Sequence, residues 1–271
     1  MSAGLRLHGA LRIADGEAQP RDEWVIEETP VALLYNDLPF AVMMATPTDL
    51  DDFALGFAMC EGIVDAPGEF SLVDIVRGDD GIALHAAIPQ ARYDRLAARA
   101  RTLEGRSGCG LCGAEALQSV LTPLPQVRTS TRWSAARIHA ALARMAEAQA
   151  LNARSGGAHA AAHVRADAGD HAPLVREDVG RHNAVDKVVG ALLRAAPGLG
   201  RAPDAGLLAV TSRASFEIVR KAARAGIGLV AAMSAPTGLA IRQAEAAGIT
   251  LIAFARDGRM TVYSRPERVE V

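Results

Sequence analysis

From residue 183 to residue 263 short apolar runs alternate with segments of helical period, and no other feature constrains the fold as strongly. Residues 183–195 carry Val185, Val188, Val189, Leu192 and Leu193 at helix spacing. Residues 207–211 then read as a strand, and residues 216–225 as a helix closed by Gly226. A second strand over 228–233 leads to a helix over 239–247, closed by Gly248. A third strand over 250–255, the Asp257-Gly258 turn and a returning strand over 260–263 complete the series. Apolar strands separated by amphipathic helices imply parallel βαβ units, because crossover helices cover both faces of such a sheet. The fold class is therefore α/β, α+β overall, with a mostly parallel sheet in the C-terminal part.

The first part of the chain is mixed. Residues 24–26 and 31–35 read as strands, Asn36-Asp37 as a turn and 39–44 as the return strand. Thr48 is the expected N-cap of a helix with Asp49, Asp51 and Asp52 in its first turn, Phe53, Phe57 and Cys60 on one face and Gly62 at its end. Residues 72–76 and 82–88 form a further strand pair around a Gly-Asp-Asp-Gly turn. Helices are also expected over 114–121 and 134–150. This divides the chain into a smaller mixed α+β domain (1–104), a glycine-rich CxxC loop and connector (105–127) and a larger C-terminal domain (128–271).

In an open α/β sheet, ligands bind at the carboxyl ends of the parallel strands. The first of the three strands runs into Ser212-Arg213-Ala214-Ser215, the second into Ser234-Ala235-Pro236-Thr237, and the third into Arg256 with Arg259 past the turn. Hydroxyls, guanidinium groups and helix N-terminal amides on one edge suit phosphate. The alternative is that the Ser and Thr residues only cap helices. Arg181, His182, Asn183, Asp186 and Lys187 crowd another helix start, as a solvated cap or as groups facing a ligand. His159 comes after a Gly-Gly turn and could do either.

The sharpest chemical feature is Cys109-x-x-Cys112, set among four glycines in residues 105–113. A thiolate is the nucleophile of sulfur exchange, and a helix start after Cys112 would favour the charged form. Structural zinc needs four ligands, and the only other thiol, Cys60, sits on an apolar helix face. A formal net charge of −2 argues against a general nucleic-acid binder. No run is long and apolar enough for a membrane span, and residues 1–17 lack a signal-peptide pattern. A cytoplasmic location is expected, where thiols stay reduced.

Taken in order, several segments resemble the FdhD family of sulfur carrier proteins required for formate dehydrogenase activity. They are Glu28-Thr29-Pro30, the helix around residues 56–62, residues 108–113, Ser155 to Ala160, Glu177 to Lys187, Ser212 to Glu217 and Ser234 to Thr237. The resemblance implies that a cysteine desulfurase passes persulfide sulfur to Cys109, with Cys112 assisting. The sulfur then goes to a molybdenum bis(molybdopterin guanine dinucleotide) cofactor, bound as substrate, for delivery to formate dehydrogenase. It implies a cofactor-binding stretch at Phe254, Ala255, Arg256, Asp257, Gly258 and Arg259, in a pocket that a guanine nucleotide can occupy. Ser212, Arg213, Ser234, Thr237, His159, Arg181, His182, Asn183 and Lys187 are the other candidate contacts. It also implies a homodimer and a three-layer C-terminal domain similar to cytidine deaminase. Deaminase chemistry is not expected, because the stretches that would carry His-x-Glu and Cys-x-x-Cys read His182-Asn183-Ala184 and Ser212-Arg213-Ala214-Ser215. The rival readings are a cofactor-binding chaperone that transfers no sulfur and a zinc-stabilised interaction module.

Overall fold

The computed structural model describes residues 4–104, 122–166, 172–195 and 206–271, excepting the side chains of 99–104. Cys109, Cys112 and the helix expected over 114–121 lie outside the described residues. The chain opens with an antiparallel arm of β1 (Leu5–Ala14) and β2 (Glu17–Ile26), turned at Asp15-Gly16. The arm is fastened at its base, where Glu27 N donates to Gly4 O at 2.9 Å and Arg154 lies 4.0 Å over the Trp24 ring.

A four-stranded sheet comes next, in the order β4-β3-β6-β5: β3 (Thr29–Tyr35), β4 (Leu38–Ala45), β5 (Ser71–Gly78) and β6 (Gly81–Ala87). Alternation sets its faces: Val31, Leu33 and Tyr35 of β3 point to the core, while their neighbours do not. Helix α1 (Leu50–Glu61) lies between β4 and β5 in the chain, and α2 (Gln90–Glu104) comes after β6. The N-cap of α1 is Asp49, at φ 52° and without a side-chain cap, so the expectation of Thr48 is corrected. Thr48 N is bonded to Thr46 O at 2.8 Å, a tight turn that delays the helix by one residue.

Short β7 (Trp133–Ser134) leads into α3 (Ala135–Glu147), capped by Ser134 and burying Ile138, Leu142 and Met145. After α4 (Asn152–Ser155) come β8 (His159–Arg165), β9 (Leu174–Asp178), α5 (Arg181–Ala195) and β10 (Gly206–Val210). Then come α6 (Phe216–Ala225), β11 (Leu229–Ala232), α7 (Gly238–Ala247), β12 (Thr250–Arg256) and β13 (Arg259–Ser264), and β14 (Val269–Glu270) pairs with β7. The six-stranded sheet runs β13-β12-β11-β10-β8-β9.

The βαβ units over β10, β11 and β12 are parallel, as their alternation with α6 and α7 requires. The sheet as a whole is mixed, which corrects the expectation of a mostly parallel one. Strand β8 runs antiparallel to both β9 and β10, and β13 antiparallel to β12. A connection too short to hold a crossover helix reverses the chain, and those from β8 to β9 and from β12 to β13 are that short.

One apolar core runs from the inner face of the four-stranded sheet through α1, α5, α6 and α7 to one face of the six-stranded sheet. A second packs the opposite face of that sheet against α3 and Trp133. The first core depends on a backbone-to-backbone crossing of α1 and α5. A methyl group at Gly56 would overlap the Asp186 carbonyl, and one at Gly190 the Asp52 carbonyl. Gly190→Ala is expected to destabilise the fold by about 1–3 kcal/mol, since helix backbones cannot separate without opening the core. Gly68→Ala, which meets open space, is the control. Urea denaturation of both variants checks the difference.

Candidate functional site

The segment from Glu177 to Lys187 divides its polar groups between two environments. Most of them turn inward. Lys187 and Asp178 form a fully buried ion pair at 2.7 Å. Lys187 Nζ also donates to Thr46 O at 3.0 Å and to Glu177 O at 3.3 Å. Asp178 accepts from Thr46 N at 3.0 Å, Gly180 N at 2.7 Å and Asn183 Nδ2 at 3.0 Å. Asn183 donates onward to Met44 O at 2.8 Å, and Glu177 accepts from Leu151 N and Asn152 N at 2.8 Å. A buried charge is tolerated only when its remaining sites are satisfied, and these are. Asn183 and Lys187, expected as ligand contacts, thus spend their polar atoms as struts between the end of β4 and the start of α5.

Asp186 is buried too and holds Lys221 through both carboxylate oxygens, at 2.8 and 2.9 Å, with Glu61 at 3.1 Å from the same ammonium. Cys60 lies fully buried against this group. Burial, reinforced by the Asp186 carboxylate, pushes its thiol well above the ordinary range. A thiol held protonated and sealed from solvent is no sulfur nucleophile at neutral pH.

Arg181 and His182 instead reach the edge formed by the carboxyl ends of β9, β10, β11 and β12. There α5 and α6 start side by side. His182 Nε2 is 3.9 Å from Glu217 Oε2, and Thr211 Oγ1 is 3.5 Å from His159 Nδ1. Arg181 Nε, His182 Nε2 and Ser215 Oγ are all buried without a hydrogen-bond partner. Buried polar atoms are rarely left so unless a ligand or water completes them. Ser215 sits at the N-cap of α6 yet makes no cap bond. Thr237, by contrast, does cap α7, accepting from Ala240 N at 3.3 Å, and Ser212 Oγ donates to Arg213 O at 3.0 Å. The capping alternative therefore holds for Thr237, whereas Ser215 and Glu217, absent from the expected contacts, stand at the edge with Arg181 and His182. A sequence signal existed for them: an N-cap serine and an acidic first-turn residue look alike whether or not they cap.

The loops after β10 and β11 are stitched together, with Ala214 N bonded to Ala235 O at 3.1 Å and Thr237 N to Ala214 O at 3.0 Å. Phe254 N reaches Ser234 O at 3.1 Å, so Ser234 bears on the third loop through its backbone. Strand β12 bulges there. Phe254 has φ 51°, a conformation that costs an aromatic residue about 1–3 kcal/mol. The bulge turns the ring outward, 42% exposed. With Arg256, Arg259, Met260 and Thr261 it lines a cleft of about 330 Å³. Ala255 is buried beneath it, Asp257-Gly258 make the turn, and Arg213 is exposed on the neighbouring loop. Neither Arg256 nor Arg259 has an ion-pair partner among the described residues. An exposed aromatic face beside two unpaired guanidinium groups offers stacking to a base and charge to its phosphates. The cleft stands on β12, two strands along the sheet from β10, whose following loop carries Ser215.

The sequence model of the FdhD/NarQ family matches residues 26–270. The chain belongs to that family. It is 48% identical over 256 residues to the sulfur carrier protein FdhD of Xanthomonas axonopodis pv. citri, covering 94% of this chain and 89% of that one. It is 46% identical over 270 residues to the FdhD of Bordetella petrii, covering 100% of this chain and 94% of that one. Its fold is similar to a crystal structure described as a formate dehydrogenase accessory protein from Desulfotalea psychrophila. The TM-score is 0.73 at 27% identity, covering 98% of this chain and 99% of that one. Among the described residues no helix is long and apolar enough to cross a membrane.

Burial, then the Arg181 guanidinium, holds His182 down to about 4, and burial, then Arg165, does the same to His163. Both rings are neutral in the folded protein at pH 5, whereas an unfolded chain protonates them below about 6.5. Their contribution is complete above pH 6.5 and is lost as pH falls towards 4. Thermal melts at pH 7 and pH 5 are expected to show a fall of several degrees that is smaller in His182→Gln and in His163→Gln. Equal slopes in all three proteins would contradict it.

Proposed function

We propose that the chain is a sulfur carrier in the service of formate dehydrogenase. The observation that carries this reading is its near-full-length similarity, at 46–48% identity, to proteins named sulfur carrier protein FdhD. Cys109 accepts a persulfide sulfur from a cysteine desulfurase, and Cys112 assists its transfer. The acceptor is a molybdenum cofactor carrying two pterin guanine dinucleotides, bound as substrate. The sealed state of Cys60 supports the assignment, because it leaves only the Cys109–Cys112 pair for exchange chemistry.

The strand edge supports the acceptor. Phe254 stacks a guanine, while Arg256 and Arg259 meet pyrophosphate oxygens. The unpartnered Arg181, His182 and Ser215 atoms receive the polar groups nearer the pterin. A neutral His182 can donate or accept a hydrogen bond there without adding charge. Phe254→Ala and Arg256→Ala are each expected to weaken binding of guanosine diphosphate by about tenfold or more, about 1.4 kcal/mol. Isothermal titration of the folded variants checks it. The protein works in the cytoplasm as a homodimer.

Incubation of the reduced protein with an active cysteine desulfurase and L-cysteine is expected to give a sulfur-sized gain in intact mass. The gain disappears in Cys109→Ala. A second reading, a cofactor-binding chaperone without sulfur transfer, is favoured by the Phe254 cleft taken alone. It becomes the better one if no form of the protein gains mass.

A further inference from the structure

The β1–β2 arm is amphipathic across its width. Its register puts Leu7 opposite Trp24, Leu11 opposite Pro20 and Ile13 opposite Ala18 on one face, interrupted only by Gly9 opposite Asp22. The other face pairs Arg6 with Val25, His8 with Glu23, Ala10 with Arg21 and Arg12 with Gln19. That polar face supplies its own partners, such as Arg21 to Glu23 at 3.0 Å and Arg6 to Glu27 at 3.0 Å. Among the described residues nothing covers the apolar face, where Leu11 is 61% and Ile13 71% exposed. A two-stranded ribbon alone is at best marginally stable in water, so this face calls for a covering surface.

A second uncovered apolar surface lies on the outer side of the four-stranded sheet. Register sets Val42, Ala32, Ala83 and Val76 in one row across all four strands. Val42 and Val76 are exposed, and Met44 is exposed further along β4. The row is large at both ends and small in the middle, a saddle into which branched side chains fit. Between the base of the arm and the end of the sheet lies a cleft of about 800 Å³, lined by Leu5, Leu7 and Trp24 of the arm, by Pro30 and Gly81 of the sheet and by the charged Arg77 and Asp79. Of the large exposed apolar residues described, all but Phe254 and Val271 belong to the arm or to β4 and β5.

We infer that the two surfaces belong together across a two-fold axis: the arm of one copy lies on the outer sheet face of a second copy of this chain, and the reverse. This rests on the homodimer reading and assigns it a surface. One chain carries both halves of the contact, which is what an isologous interface requires. A ten-residue ribbon is about 34 Å long and about 10 Å wide, roughly 350 Å² on its apolar face. Two arms laid on two sheets bury about 1,400 Å² in total, within the range of stable interfaces. A partner of another sequence would cover one surface and leave the other wet.

Sedimentation of the full chain at micromolar concentration is expected to give a dimer. Leu11→Asp with Ile13→Asp, and separately Val42→Asp, are expected to weaken association by about tenfold or more. Circular dichroism of the protomer should not change, because these side chains touch solvent. A benzophenone side chain placed at position 11 is expected to cross-link to a β4 or β5 peptide of the other copy. A wild-type monomer overturns the homodimer itself. A dimer that survives both sets of variants, or a cross-link that maps elsewhere, overturns only the exchange of arms.

Discussion

Helices α1 and α5 touch at Gly56 and Gly190, where no side chain separates their backbones. That closeness lets the four-stranded and six-stranded sheets share one core. It also brings Asp186 of α5 beside Cys60 and Glu61 of α1, and Asp52 of α1 to Arg176 at 2.8 Å and Arg194 at 2.7 Å. Each ion pair around the crossing is made by a group from the first hundred residues or by α5 itself. The start of α5 then fixes where Arg181 and His182 stand, so the geometry of the strand edge is inherited from two glycines far from it.

Polar groups in this fold serve two purposes. Asp178, Asn183 and Lys187 have their hydrogen-bonding capacity consumed by the protein, which makes them rigid. Arg181, His182 and Ser215 retain unused atoms that are sealed from solvent, although Arg181 and His182 are themselves only half-buried. Rigid neighbours hold unsatisfied ones in place, and such an arrangement lets a site meet its substrate without first collapsing on itself.

The strands and helices after residue 206 were legible because each apolar run is short, each helix is periodic and each ends in glycine. Strand β8 was not, since His159–Arg165 is rich in alanine, which has little strand preference. Of the arm only residues 24–26 read as a strand, for a different reason. Its strands are solvated, so burial left no strong pattern, although Asp15-Gly16 is a hairpin signal. At the candidate site, the strand pattern puts Arg256 and Arg259 at the carboxyl end of the third strand, and only the resemblance adds Phe254, but neither tells which polar residues of Glu177–Lys187 face inward. Helical spacing puts Lys187 and Asn183 on the same face, and only the position of Met44 and Thr46 decides what that face meets.

Cys60 is sealed between α1, α5 and α6 with no exposed surface. A thiol reagent in solution can reach it only in molecules whose core has opened. The rate at which Cys60 is modified is therefore a clock for opening of the α1–α5 crossing, carried by the native sequence. Slowed by anything that binds the closed form, it would report occupancy of the strand edge from a position that touches no ligand.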